Sequence, residues 1–532
     1  MQPGEQWLGA EPGAVAGTTK RPRPEPASAG AQTAGAETAS ASGPGPAARR
    51  DRIPWLIALG VFLAYATLSV FRFWQLDPAS WDLGIFTEYV KQYAHLHAPI
   101  VDIKGAGSNL LGDHFHPIVA LIAPLFRLFP SPVTLLMAQA ALVAVSVVPV
   151  SRAATARLGT GAGRAIGAAY GLSWGLQQLV DDDFHEIAFA IPLLACSLSA
   201  LVCGRRRAAA LWALPLVFVK EDQGLTVAAI GIIMIMLTRR EDRAHREDRA
   251  RRAGWARDPW GALLIAWGLG WSLLAVLVII PHFNAAHTYP YWHQGGAVSA
   301  GGHFSLGPLP GQLFAASQVK LPTLALILLV TAFAAVRSPV VLAAVPSLAL
   351  RFVSTDSAYW GTAWHYNATV MPIVFIAAID GLARIRAARQ RGTTRPLSLA
   401  MDRHGAAAML AVCAALAFQF PLSNLWNPQT YAISGQAKAA YEAMARVPDG
   451  VTVETDLDLL APLAARTDTF WLGMAGNPPP QYIVFDSHST DWQPPPASVP
   501  RFIGQRHPGV SYAETFSDDG VYVFRRISPP GA

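Results

Sequence analysis

Ile53 opens an apolar run, IPWLIALGVFLAYATLSVFRFW, long enough to cross the hydrocarbon core of a bilayer. A spanning helix needs roughly 20 mostly apolar residues, because lipid offers no partner to an open backbone and a helix closes its own hydrogen bonds. The pattern recurs along most of the chain. Segments 54–73, 132–150, 165–180, 187–203, 208–219, 224–238, 260–281, 320–336, 339–353, 366–383 and 405–422 read as spans, about eleven in all. Segment 117–130 (PIVALIAPLFRLFP) is also apolar, but Pro117, Pro124 and Pro130 bound and interrupt it, so it reads as re-entrant or interfacial. The composition agrees: 52% of the 532 residues are hydrophobic and only 14% charged, where soluble proteins carry about 25% charged residues. That excludes a soluble enzyme and a disordered protein for the chain as a whole.

The net charge of +6 raises nucleic acid as a partner, but the placement of the charges points to a membrane instead. Lys and Arg stay on the cytoplasmic side of membrane proteins. Alternating sides from a cytoplasmic N-terminus, the inner segments hold 27 of the 41 Lys and Arg residues, including Arg205 to Arg207 and eight arginines in 239–257. All histidines except His245 and His404 then fall outside. Eleven spans therefore place the N-terminus inside and the C-terminus outside. Cys196, Cys203 and Cys413 lie in or beside apolar stretches, with neither disulfide nor metal-ligand spacing.

Three regions follow. Residues 1–50, rich in Ala, Gly, Pro, Ser and Thr, cannot offset the entropy of ordering and read as a disordered cytoplasmic tail. Residues 51–428 form the multi-span body with polar outer loops. Residues 429–532 turn soluble in composition: 431–447 reads as a helix, VTVET (451–455), QYIVFD (481–486) and VYVFRRI (521–527) as strands, and LDLLAPLAAR as a short helix. The fold expected is an α-helical polytopic membrane protein with a small extracytoplasmic α/β domain.

Chemistry-bearing residues collect in the outer loops. They are Asp82 and Glu88 in the stretch after the first span, Asp113, His114 and His116 in GDHFHP, and Asp183, His185 and Glu186 in DDDFHE. Lys220, Glu221 and Asp222 follow between two apolar segments, and His365 comes later. Ionisable groups at membrane depth are costly and mark function by default. Asp82 and Glu88 are either the polar face of an interfacial helix or carboxylates available to take a proton from an acceptor hydroxyl. The DHFH and DFHE groups could be two halves of a divalent metal site, or could hydrogen-bond each other and bind phosphate or sugar hydroxyls. Three successive charges at Lys220 fit a paired cluster facing a cavity, with Lys220 neutralising a phosphate, or a loop protruding into water. Gly163, Gly167 and Gly171 give a small-residue ridge for close helix packing. The chain carries no Walker motif, nucleophile elbow or dinucleotide fingerprint, and no resident cofactor is expected.

The combination DLGIF (82–86), GDHFHPI (112–118), DFHE (183–186), KEDQGL (220–225) and VTVETDLDLLAPLAAR (451–466) resembles the bacterial and archaeal membrane-protein family catalogued as domain of unknown function 2079. Glu88 stands where that family would have a glutamine, and Glu186 where a proline is usual. The family is similar to the membrane glycosyltransferases of GT-C type that use polyprenyl-phosphate sugars. That resemblance implies an acidic residue in the first outer loop, here Asp82, that deprotonates or orients the acceptor hydroxyl. It also implies that groups such as Lys220 and His114 stabilise the departing lipid phosphate. A transporter or flippase, and a scaffold whose outer domain binds a partner, are the competing readings. A transporter would carry its ionisable residues near mid-span, whereas these cluster at helix ends.

Overall fold

The computed structural model describes residues 51–78, 80–244, 258–292, 307–393 and 396–527. The expected tail 1–50, His293, His303 and most of the arginine-rich loop lie outside the described residues. The first helix, Ile53–Trp74, carries Pro54 in its opening turn, where the missing N–H costs nothing, and Arg72 in its last turn. Ala58, Val61, Tyr65 and Leu68 fall at helical spacing and are buried, while Leu56, Leu59 and Leu63 face outward. An outward row of leucines is what a lipid-facing helix surface requires. Ser131 caps the helix Pro132–Leu158 by accepting from the Val133 N–H at 3.3 Å, and Gly159, at φ 92°, ends it.

The small-residue ridge expected on Gly163, Gly167 and Gly171 is present, shared between two neighbours. A Cβ at Gly167 would stand 2.8 Å from that of Ser151 on the helix Pro132–Leu158. One at Gly171 would stand 2.4 Å from Val61 on the first helix. Tyr65 closes the same junction by donating its hydroxyl to the Gly171 carbonyl at 2.8 Å.

All eleven expected spans are helical, but they differ in length. Six helices among the described residues are long and apolar enough to cross a membrane: Ile53–Gln75, Pro132–Leu158, Gln223–Arg240, Pro259–Phe283, His365–Gln390 and Ser398–Leu416. A seventh span results if Pro308–Phe314 and Ser317–Leu329, which meet at 66°, count as one. The other four expected spans are shorter or broken: 165–180 is interrupted between Gly171 and Trp174, and 187–203, 208–219 and 339–353 begin or end in 3-10 turns. The proline-interrupted segment forms the short apolar helix Pro117–Leu128, with Leu121 and Leu128 strongly exposed.

Ion pairs gather where the arginine-rich segments enter and leave the bundle. Asp380 meets Arg384 at 2.6 Å and Arg157 at 3.5 Å, Asp402 meets Arg386 at 3.0 Å, and Asp258 meets Arg206 at 3.2 Å. The helix Val370–Gln390 ties this end to the other, since the 3-10 turn His365–Asn367 leads into it and Arg384 and Arg386 lie in its last turns. At 1.5 Å per residue the two ends are about 30 Å apart, a bilayer core's thickness.

The C-terminal region folds into a five-stranded sheet of order β2-β1-β3-β5-β4, built from β1 (Thr452–Thr455), β2 (Asp468–Trp471), β3 (Tyr482–Asp486), β4 (Tyr512–Asp518) and β5 (Val521–Arg526). β1 pairs in parallel with β2 and β3, whereas β5 runs antiparallel to both β3 and β4. Sequence patterning anticipates β1, β3 and β5 but not β2, nor β4, whose YAETFSD is mostly polar. The expected helix 431–447 is Gly435–Ala445, capped by Ser434. Helix Leu457–Ala464 packs on helix Asp82–Ala94, Trp81 meets Trp471 with ring centroids 4.7 Å apart, and Lys91 donates to the Thr467 carbonyl at 2.6 Å. The sheet is thereby fastened to the segment that carries Asp82.

Candidate functional site

Asp82 is the first residue of the helix Asp82–Ala94, where a carboxylate is favoured by the helix dipole, and it accepts from Ser80 Oγ at 2.7 Å. Its Oδ2 lies 3.8 Å from His185 Nε2. His185 is nearly fully buried and meets Asp182 Oδ2 at 3.3 Å and Glu186 Oε2 at 3.9 Å. Glu186 in turn pairs with Lys220 Nζ at 3.0 Å. Three sequence-distant motifs thus join in one chain of alternating charge running from Asp82 to Lys220.

His365 extends the chain sideways. Its Nδ1 lies 2.6 Å from Asp182 Oδ2, and its backbone N–H donates to the same oxygen at 3.0 Å. The His185 and His365 rings are 3.6 Å apart, His365 and Tyr366 4.2 Å, and Tyr366 and Tyr359 4.3 Å. On the other side, Glu221 accepts from the Phe115 N–H at 3.1 Å, lies 2.7 Å from His114 Nδ1 and accepts from the Tyr289 hydroxyl at 3.2 Å. Asp113 pairs with Lys104 at 3.1 Å and accepts from Tyr291 at 2.6 Å, while His114 stacks on Tyr291 at 4.4 Å.

Burial opposes charge on each of these groups, and the partners decide the outcome. Burial lowers His185, but Asp182 and Asp82 outweigh it and hold the imidazole well above its ordinary range. Burial raises Asp182, yet His185 and His365 pull it below the usual carboxylate range. Burial likewise raises Glu186, and Lys220 brings it well below; Lys220, lowered by burial, is raised above the ordinary lysine range by Glu186 and Glu221. His114 outweighs burial at Glu221, drawing it down to about 2. At Asp222 burial wins over Lys220, and its carboxyl is raised. His116 is pushed down to about 4, chiefly by burial, and stays neutral beside Tyr89 at 3.2 Å.

A cavity of about 460 Å³ opens beside this network, lined by His114, Lys220, Glu221, Asp222 and His365 together with Tyr289, Tyr291, Tyr359, Tyr366 and Arg351. Its size suits a small ligand or the head of a larger one. Asp82 and His185 belong to the network but are not part of that wall. Two expected site residues are elsewhere. Glu88 is fully buried, accepts from the Ile103 N–H at 3.2 Å, and has no access to the cavity, so it braces the loop after its helix. Asp183, at φ 56°, lines a separate small cleft with Asp77 and Asp458. Its neighbour Asp182 provides the carboxylate in the network. The tyrosines and Arg351 carried no motif and went unseen in the sequence.

The metal pairing expected between the DHFH and DFHE groups is not what the geometry brings together, because His114 goes to Glu221. Asp182, His185 and His365 instead each offer one ligand atom, all within 4.8 Å of one another. Two imidazoles and a carboxylate suit Zn²⁺, Mn²⁺ or Fe²⁺. Within the same group His365 hydrogen-bonds Asp182 Oδ2 and His185 ion-pairs with it, while Asp182 Oδ1 and His185 Nε2 have no hydrogen-bond partner among the described residues.

The helical body and its site define a multi-pass membrane protein with a largely apolar cavity, edged by charged groups, at one end of the bundle. The chain belongs to the family described as "Predicted membrane protein (DUF2079)", whose model matches residues 72–500. No curated protein matches the sequence. Among solved structures the chain is similar in fold to ArnT from Cupriavidus metallidurans bound to undecaprenyl phosphate. The TM-score is 0.52 at 13% identity, covering 88% of this chain and 97% of that one.

Proposed function

We propose that this protein is a membrane glycosyltransferase that moves a sugar from a polyprenyl-phosphate donor to an acceptor hydroxyl at the outer face of the cell membrane. The observation that carries the reading is the continuous charge network from Asp82 through His185 and Glu186 to Lys220, set beside a cavity walled by tyrosines and cations. The fold similarity to a protein crystallised with undecaprenyl phosphate supports the donor class. In this mechanism the acceptor hydroxyl gives its proton to Asp82 as its oxygen bonds to the anomeric carbon. The bond from that carbon to the phosphate oxygen breaks, and the electron pair leaves with the phosphate. Cations at the cavity stabilise the charge that develops there, and that stabilisation is worth most where water is excluded. The His185 imidazolium, held by Asp182, orients the Asp82 carboxylate. The N-terminus is cytoplasmic and the sheet lies outside.

A transporter is the second reading, favoured by the 66° break between Pro308–Phe314 and Ser317–Leu329. Against it, the ionisable groups sit at helix ends. The deciding experiment is sugar transfer by purified protein in lipid from a panel of polyprenyl-phosphate sugars. Transfer supports the enzyme, and vectorial lipid movement without transfer supports the alternative.

A further inference from the structure

Arg351 lies in the last turn of the helix Val345–Val353, is only 5% exposed, and lines the cavity. Its Nε donates to the Tyr359 carbonyl at 3.0 Å, and its Nη1 to the Tyr366 carbonyl at 3.1 Å and to Asn367 Oδ1 at 3.0 Å. All three acceptors are neutral. Nη2 is buried and has no hydrogen-bond partner among the described residues. The contrast with the other cations around the network is sharp: Lys220 has Glu186, Lys104 has Asp113, and Arg72 has Asp181.

An uncompensated buried charge costs several kcal/mol, and an unused donor adds to that cost. Bracing the loop 354–367 accounts for Nε and Nη1 and leaves both the charge and Nη2 unexplained. Nearby, Lys320 Nζ donates to the Phe352 and Gln312 carbonyls at 2.7 and 2.6 Å, so a second cation with neutral partners adds to the positive field. A guanidinium matches a phosphate in geometry and charge, and it remains charged in any protein environment. The Tyr366 ring lies 5.9 Å from the guanidinium and packs at a tilt against His365, which places Arg351 on the row of rings that leads back to Asp82 through His185.

We propose that Arg351, through Nη2, holds the phosphate of the donor lipid, and that Lys220, already neutralised by Glu186, is secondary to it. This assignment rests on the donor reading above. The test is binding of undecaprenyl phosphate, undecaprenol and inorganic phosphate to the full-length protein in nanodiscs, comparing wild type with R351Q and R351K. The expected result is that wild type binds the lipid phosphate at least about tenfold more tightly than the alcohol. R351Q loses that preference and R351K keeps part of it, as expected for a charge-assisted contact. Equal affinity of wild type and R351Q for the lipid phosphate overturns the assignment while leaving the donor reading intact. Arg351-dependent binding of inorganic phosphate without binding of the lipid overturns the donor reading and keeps Arg351 as an anion site. Because Arg351 also braces a loop, the structure of the wild-type lipid complex gives an independent readout: a phosphate oxygen within hydrogen-bond reach of Nη2 supports the assignment, and a phosphate bound elsewhere overturns it.

Discussion

Lys220 Nζ stands 3.0 Å from Glu186 Oε1, and this ion pair joins the segment before one membrane helix to the turn before another. Removing one partner of a buried pair leaves the other charge stranded, which typically costs about 3–5 kcal/mol. Lys220→Met is expected to destabilise by that order, and Lys220→Met with Glu186→Gln together by clearly less than the sum of the single changes. Thermal unfolding of the three variants in one detergent measures the coupling. Additive losses would mean that the pair contributes nothing.

Glu88 predicts a pH dependence. Burial is the main cause that lifts its carboxyl from 4.5 to about 8, with Lys91 and the Ile103 N–H opposing. The folded state therefore binds this proton more tightly than the unfolded chain does. Its contribution to stability is complete below about pH 4.5 and is lost as pH rises through about 8. Glu88→Gln, which copies the protonated form, should match wild type near pH 4.5 and exceed it increasingly up to pH 9, by on the order of a few kcal/mol. Parallel unfolding curves across that range would contradict this.

Orientation is tested by fusion. The arginine-rich ends of the helices lie opposite the site, and basic residues remain cytoplasmic. A reporter active only outside the membrane should work after residue 532 and fail within 239–257. The reverse pattern would put the cavity on the cytoplasmic side.

The membrane class was legible because apolar runs and arginine placement are local properties of the chain. The motif positions were legible too, and part of what makes them motifs is packing. A Cβ at Gly84 of DLGIF would stand 2.9 Å from Leu460, and one at Gly112 of GDHFHP 2.5 Å from the Phe283 backbone. Those glycines let the C-terminal helix and the end of Pro259–Phe283 approach closely. Which of three successive aspartates enters the network was not legible, since the left-handed backbone at Asp183 turns the chain there. Arg351 and the tyrosine wall were hidden for a related reason. They come from separate loops and helix ends, and only the tertiary fold brings them to one cavity. Among the described residues six or seven of the eleven apolar runs form helices long enough to cross a membrane, because apolar content alone does not separate a full crossing from a helix broken by a 3-10 turn.

The central claim is that Asp82 takes the acceptor's proton, and Asp82→Asn tests it most directly because it keeps the shape and removes the basic oxygen. The measurement is transfer of a radiolabelled sugar from a polyprenyl-phosphate donor by purified protein in lipid, with unfolding temperature recorded in parallel. General base catalysis contributes about a hundred- to ten-thousandfold. The account predicts a rate loss of that order in a variant that unfolds within a few degrees of wild type. Equal transfer by wild type and Asp82→Asn would remove Asp82 from the mechanism.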